Sequence, residues 1–286
     1  MSFLAILLAL AAERLLPQGS ALGEARLLPR MLQWLQRRPL ADGPALPWLI
    51  TVGGSALTAL AEQQLHGIVA SVLFATLVLF LCLGPRDLGE AVRRLIDARA
   101  RGDTAEAERL SRLLQSGPSP DESHRSLIGA LFIQSHERWF GVLLWFIALG
   151  PAAAVAYRLA SRLPSLLEAQ GYRQPAQQAA EQLHGLLAWI PVRITAALLA
   201  LAGSMDDALE AWKRTGELHY SEPWRSHSWA VLAEVGTGAL AMEEANGGTS
   251  VAPNLAAALR EVLRMQTRAL LILLAGFAVY TSGTLV

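Results

Sequence analysis

Residues 65–84, 139–157 and 269–286 contain no Lys, Arg, Asp or Glu. Runs of roughly 18 or more such residues cross a bilayer as helices, because lipid offers backbone amides no outside partner. The hydropathy pattern predicts spans near 2–17, 47–62, 66–84, 140–158, 186–203 and 268–285. Glu13 and Arg14 interrupt the first span, Gly53 and Gly54 loosen the second, and Glu62 closes it. The expected fold is all-α, a polytopic helical membrane protein of about six transmembrane spans. Residues 1–286 form one membrane domain in this reading.

Arginine is distributed unevenly between those spans. Loop 18–46 holds Arg26, Arg30, Arg37 and Arg38; loop 85–139 holds nine, from Arg86 to Arg138. Loop 204–267 adds Lys213, Arg214, Arg225, Arg260 and Arg264, whereas the intervening loops carry only Arg162 and Arg173. The positive-inside rule then turns the N-terminus outward and puts 18–46, 85–139 and 204–267 in the cytoplasm. The first segment, MSFLAILLALAAERLLP, lacks a basic leader and a small-residue cleavage site, so it reads as a retained helix.

Periodicity changes character within 85–125. Leu88, Ala91, Val92, Leu95 and Ile96 recur at the spacing of an amphipathic helix. Gly102 stops it, and Asp103-Thr-Ala-Glu106 has capping-box spacing for a second helix carrying Leu110, Leu113 and Leu114. A cytoplasmic helical hairpin is predicted there, followed by the loop QSGPSPDES.

Composition agrees with a membrane chain: 53% hydrophobic and 17% charged residues, against about a quarter charged in a soluble domain. Net charge is zero, which gives no ground for a nucleic-acid partner. Lone Cys82, inside an apolar run, cannot make a disulfide within the chain. The sole lysine, Lys213, lies in AWKRTG, so no P-loop exists. Neither an HExxH zinc motif nor a GxSxG nucleophile elbow occurs, and no metal site is expected.

What remains is charge at membrane depth, which is costly unless it meets a partner or a wet cavity. Glu13 and Arg14 sit near the end of the first span, with an interfacial position as the plainer reading. Arg193 lies inside the fifth, just after Pro191, which lacks a backbone donor. Glu137 opens the fourth beside His136, Arg138 and Trp139; the last two suit an interfacial belt. Glu234 is an isolated acid in SWAVLAEVGTGALA, either satisfied by an arginine or facing a cavity.

These segments, in this order, resemble the CobD/CbiB superfamily. GPRDLGEAVRRLIDARARGDTAEAERL is similar to its cytoplasmic region, with the Arg86-Asp87-Leu and Gly102-Asp103 elements. HERWFGVLLWFIALGPAAAVAYRL resembles the following segment, ending in Tyr157–Arg158, and LLAWIPVRITAALLALAG resembles its "WIPARLTALLLALA" span. EPWRSHSWAVLAEVGTGAL resembles the approach to its last membrane region. The superfamily holds ATP-dependent amide-forming synthases of cobalamin biosynthesis and the AmpE proteins, inner-membrane regulators tied to β-lactamase induction. The synthases' acidic signature keeps only Glu137 here, with Ile133 and Gln134 where Glu and Asn belong. His184–Gly185 stands for their paired aspartates, and WRSHSW at 224–229 for their S-P-N-A-G-W. Magnesium-nucleotide needs several carboxylates, so the departures favour AmpE.

The resemblance implies a regulatory, non-enzymatic protein of the bacterial inner membrane, linked to β-lactamase induction and peptidoglycan recycling. It would bind an anionic or peptide-bearing metabolite in a cytoplasm-facing cavity drawn from Glu137, Arg193, Glu13, Arg14, Glu234, His184 and Arg158. No cofactor is expected. The partners expected are the lipid bilayer, a cell-wall metabolite or a soluble cytoplasmic protein, and further copies of the chain in a homo-oligomer. The rival is a membrane amide ligase or transferase using nucleotide with magnesium; a transporter of wall fragments is a third reading.

Overall fold

The computed structural model describes residues 2–15, 24–36, 43–83, 88–115, 123–216, 224–240 and 255–283. These fold as helices α1 (Ser2–Leu15), α2 (Glu24–Leu35), α3 (Ala45–Gln63) and α4 (Ile68–Leu83), then α5 (Leu88–Ala100) and α6 (Thr104–Leu114). A second run follows: α7 (His124–Ser135), a π-helical turn (His136–Phe140), α8 (Gly141–Leu149) and α9 (Pro151–Ala169). α10 (Gln174–Ala202), α11 (Met205–Gly216), α12 (Trp224–Ala239) and α13 (Leu255–Gly283) complete it. No strand occurs among the described residues, so the all-α membrane fold holds.

Four helices are long and apolar enough to cross a bilayer: Ala45–Gln63, the helix that starts at Ile68, Gln174–Ala202 and Leu255–Ser282. They correspond to the second, third, fifth and sixth predicted spans. α10 and α13 each begin well before the apolar run that predicted them. The first span is a short apolar helix, Phe3–Glu13 by that measure.

The fourth predicted span, 140–158, is not a single crossing. Tyr157 Oη lies 3.1 Å from His136 Nε2, although the two are 21 residues apart. A continuous helix would separate them by roughly 30 Å. The chain instead folds back at Gly150, whose φ of 82° is open to glycine and whose successor, Pro151, starts α9. Ser55 Oγ of α3 donates to the carbonyl of Ala152 at 2.9 Å, holding the new helix at its first turn.

This reversal corrects the predicted separation of two connecting segments. α2 is bonded to the α9–α10 turn: Gln36 Nε2 donates to the Gln170 carbonyl (2.7 Å), Gln170 Nε2 to that of Pro29 (3.1 Å), and Tyr172 Oη to that of Leu32 (2.6 Å). Leu32, Leu46, Leu163, Leu167 and Tyr172 bury a small core beneath these bonds. Residues 18–46 and 159–185 were expected on opposite faces of the membrane; touching segments share a face. One predicted crossing has become a hairpin, and the count between them changes accordingly.

The α5–α6 hairpin forms where the periodicity put it. Leu88, Val92, Leu95, Ile96, Leu110 and Leu114 are buried, while Leu113 is exposed. Gly102 turns at φ 72°, and the Asp103 carboxylate accepts from Glu106 N at 3.1 Å. The other half of the capping box does not form. Asp103 N donates to the Ala98 carbonyl, and the Glu106 carboxylate is taken by Arg109 at 2.7 Å. That bond holds the Glu106 carboxyl below its ordinary range. Gln134 Nε2 donates to the Leu114 carbonyl at 2.6 Å, tying the hairpin to α7. Arg86 and Asp87 lie outside the described residues.

Candidate ligand site around Glu137

The π-helical turn is the hub. Gly141 N reaches five residues back to the His136 carbonyl, and such turns locally widen a helix, often at functional sites. His136 Nδ1 lies 2.9 Å from Thr195 Oγ1 on α10, and its Nε2 faces Tyr157 Oη on α9. Thr195 Oγ1 also donates to the Pro191 carbonyl at 2.8 Å. A hydroxyl has one proton and a carbonyl only accepts, so the row has one sense. Tyr157 donates to His136, His136 donates through Nδ1 to Thr195, and Thr195 donates to Pro191.

Proline at 191 has a second effect. It cannot supply the N–H that Leu187 would receive within the helix. Trp145 Nε1 supplies it instead, at 3.0 Å. Gly141 completes the packing: a Cβ there would stand 2.3 Å from the Tyr157 ring.

Next to this row lies a cluster whose polar groups are only partly matched. Trp229 Nε1 of α12 donates to Glu137 Oε1 at 2.8 Å. His184 Nε2 is 3.7 Å from the same oxygen, beyond a hydrogen bond. His184 is 1% exposed, and neither ring nitrogen has a hydrogen-bond partner. Ser228 Oγ and Arg225 Nε are buried without one as well. The Arg225 guanidinium stacks on Trp229, 4.1 Å from the ring centroid. Arg225 and buried Arg158 both act electrostatically on Glu137. Buried unpaired donors and acceptors cost about 1–3 kcal/mol each, and such groups are uncommon in a folded interior.

The sequence-derived candidates separate into three groups. Glu137, His184 and Arg158 come together here. Glu13 does not join them; its carboxylate takes Arg138 Nη2 at 2.8 Å and Trp139 Nε1 at 3.4 Å, so Arg138 is an ion-pair partner rather than a lone anchor. Glu234 is paired with Arg125 at 2.6 Å. Arg193 lies over Trp189, 4.0 Å from the ring centroid, donates to the Trp189 carbonyl at 2.9 Å, and acts electrostatically on His227. The Arg14 side chain lies outside what the structure describes. Trp229, Arg225 and Thr195 are residues of this region that sequence reasoning did not single out. The one signal for the first two was that WRSHSW departs from the superfamily pattern.

The described residues of the cluster do not offer the several carboxylates that a magnesium-nucleotide needs. Among the described residues no group of three or more His, Cys, Asp and Glu could hold a metal ion. Glu137 is the one carboxylate of the described cluster, and guanidinium groups surround it.

Comparison with known proteins now bears on this geometry. A family model described as "Regulatory signalling modulator protein AmpE" matches residues 1–286. The chain belongs to the AmpE family. Among curated relatives, this AmpE-family chain is 30% identical over 201 residues to the cobalamin biosynthesis protein CobD of Stutzerimonas stutzeri, covering 68% of this chain and 63% of that one. It is 27% identical over 219 residues to CobD of Chromobacterium violaceum, covering 74% and 66%. The alignments thus span less than two thirds of these relatives' length. No solved structure matches.

Proposed function

We propose that the chain is an inner-membrane regulatory or sensory protein of the AmpE type, acting in β-lactamase induction and peptidoglycan recycling. In this reading the Glu137–His184–Arg225 cluster binds an anionic or peptide-bearing metabolite from the cytoplasm. The observation that carries it is His184, a buried imidazole with both nitrogens unpartnered beside Glu137. A ligand that pairs those groups in one conformation and not another shifts the equilibrium by its differential affinity. The α5–α6 hairpin is the element a soluble partner would read, because Gln134, three residues before Glu137, holds it to α7. No cofactor enters this scheme.

The test is β-lactamase induction in a strain lacking the gene, complemented at matched membrane levels. Wild type should restore the response, Glu137→Gln and His184→Ala should not, and Arg193→Ala should behave as wild type. A deletion without phenotype would sink the regulatory reading. The amide-ligase alternative, which the CobD relatives favour at family level, would then be tested by ATP turnover in purified protein.

A further inference from the structure

α13 carries a stripe that changes character along its length. Arg260, Arg264 and Arg268 follow one another at every fourth position, all exposed, and so share one face. The same face continues as exposed Leu271, Ala275 and Val279. Arg268 is the last charged residue before the charge-free run 269–286, which puts it at the edge of the hydrocarbon and the other two arginines above it. From Arg268 to Val279 the helix rises about 16 Å, close to half of a bilayer core of about 30 Å.

The three guanidinium groups face a single carboxylate on this stretch. Glu261 lies 3.4 Å from Arg264 and 3.3 Å from Arg268, which leaves cationic charge in excess. Between the arginines is a shallow depression of about 340 Å³ lined by Leu263, Arg264, Thr267 and Arg268. Thr267 Oγ1 is bonded to the Leu263 carbonyl at 2.8 Å, so its donor is spent and the depression offers chiefly guanidinium N–H groups. A cationic head over an apolar strip one leaflet long mirrors a single phospholipid.

We infer that this face of α13 binds an anionic phospholipid of the adjoining leaflet, its phosphodiester on Arg264 and Arg268, its chain along Leu271, Ala275 and Val279. Arg260 adds long-range attraction. The site is independent of the Glu137 cluster.

The experiment is native mass spectrometry of the full chain titrated with phosphatidylglycerol or phosphatidylcholine. Wild type should retain phosphatidylglycerol preferentially. Arg260→Gln/Arg264→Gln/Arg268→Gln should lose that preference by roughly fivefold per arginine, while the matching triple lysine variant keeps most of it. Arg109→Gln/Arg112→Gln, on the exposed face of α6, should leave it unchanged. Should the triple glutamine variant not fold, Arg264→Gln alone carries the test. Equal loss in the α6 variant would show a net-charge effect and overturn the proposal. So would displacement of the lipid by inorganic phosphate, which would make this a free-phosphate site.

Discussion

Trp229 Nε1 donates to Glu137 Oε1 at 2.8 Å across 92 residues of sequence. This bond joins α12 to the π-helical turn and leaves Glu137 facing His184. Trp229→Phe keeps an aromatic ring for Arg225 to stack on and removes the donor, together with part of the indole's volume. The bond ends on a carboxylate, so its loss should destabilise the protein by about 1.5–3 kcal/mol, seen as a lower thermal midpoint in detergent. No change in midpoint would mean the indole serves only as a stacking surface.

Gly141→Ala should be severe. Its methyl would lie 2.3 Å from two ring carbons of the buried Tyr157 and 2.4 Å from its hydroxyl oxygen, and overpacking of this kind costs about 1–3 kcal/mol. Gly53→Ala, where nothing lies within 4 Å, is the control and should be neutral. Equal yields and melting for both would contradict the close approach of α8 to α9.

The reversal at Gly150 makes a topological prediction. In a Cys82→Ala background, cysteines at Gln36 and Gln170 should react with an impermeant thiol reagent from the same side of sealed vesicles. A short bifunctional maleimide should cross-link them. Labelling from opposite sides would restore the six-span arrangement and refute the fold-back.

The hairpin provides the pH dependence. Arg109 lowers the folded-state pKa of Glu106, so the pair's contribution is present above the ordinary carboxyl range. It is lost as pH falls through the lowered value. Both groups are in water, so the stability effect is small. A carbon-detected NMR titration should find Glu106 titrating at higher pH in Arg109→Gln than in wild type; identical curves would remove the pairing.

Local features were the legible ones. Gly102 and Asp103 end one helix and cap the next through contacts within a few residues, so spacing alone located them. Glu137 and His184 stood out as ionisable groups where the superfamily pattern was broken. The fold-back was hidden because an apolar run has the same hydropathy whether it crosses or returns. The Gly150–Pro151 dipeptide, a common turn marker, was the available hint. Glu13 with Arg138, and Glu137 with Trp229, depend on helices far apart in sequence packing together. No single-segment pattern encodes such pairs.

The directed row from Tyr157 to the Pro191 carbonyl has a consequence for assembly. A slip of α10 by one residue would swing Thr195 about 100° around its axis, away from His136, and leave the buried His136 Nδ1 without its partner. Wrongly threaded bundles therefore cannot complete the row. It acts as a registration pin, admitting one rotational setting of α9 and α10 about the turn that carries Glu137.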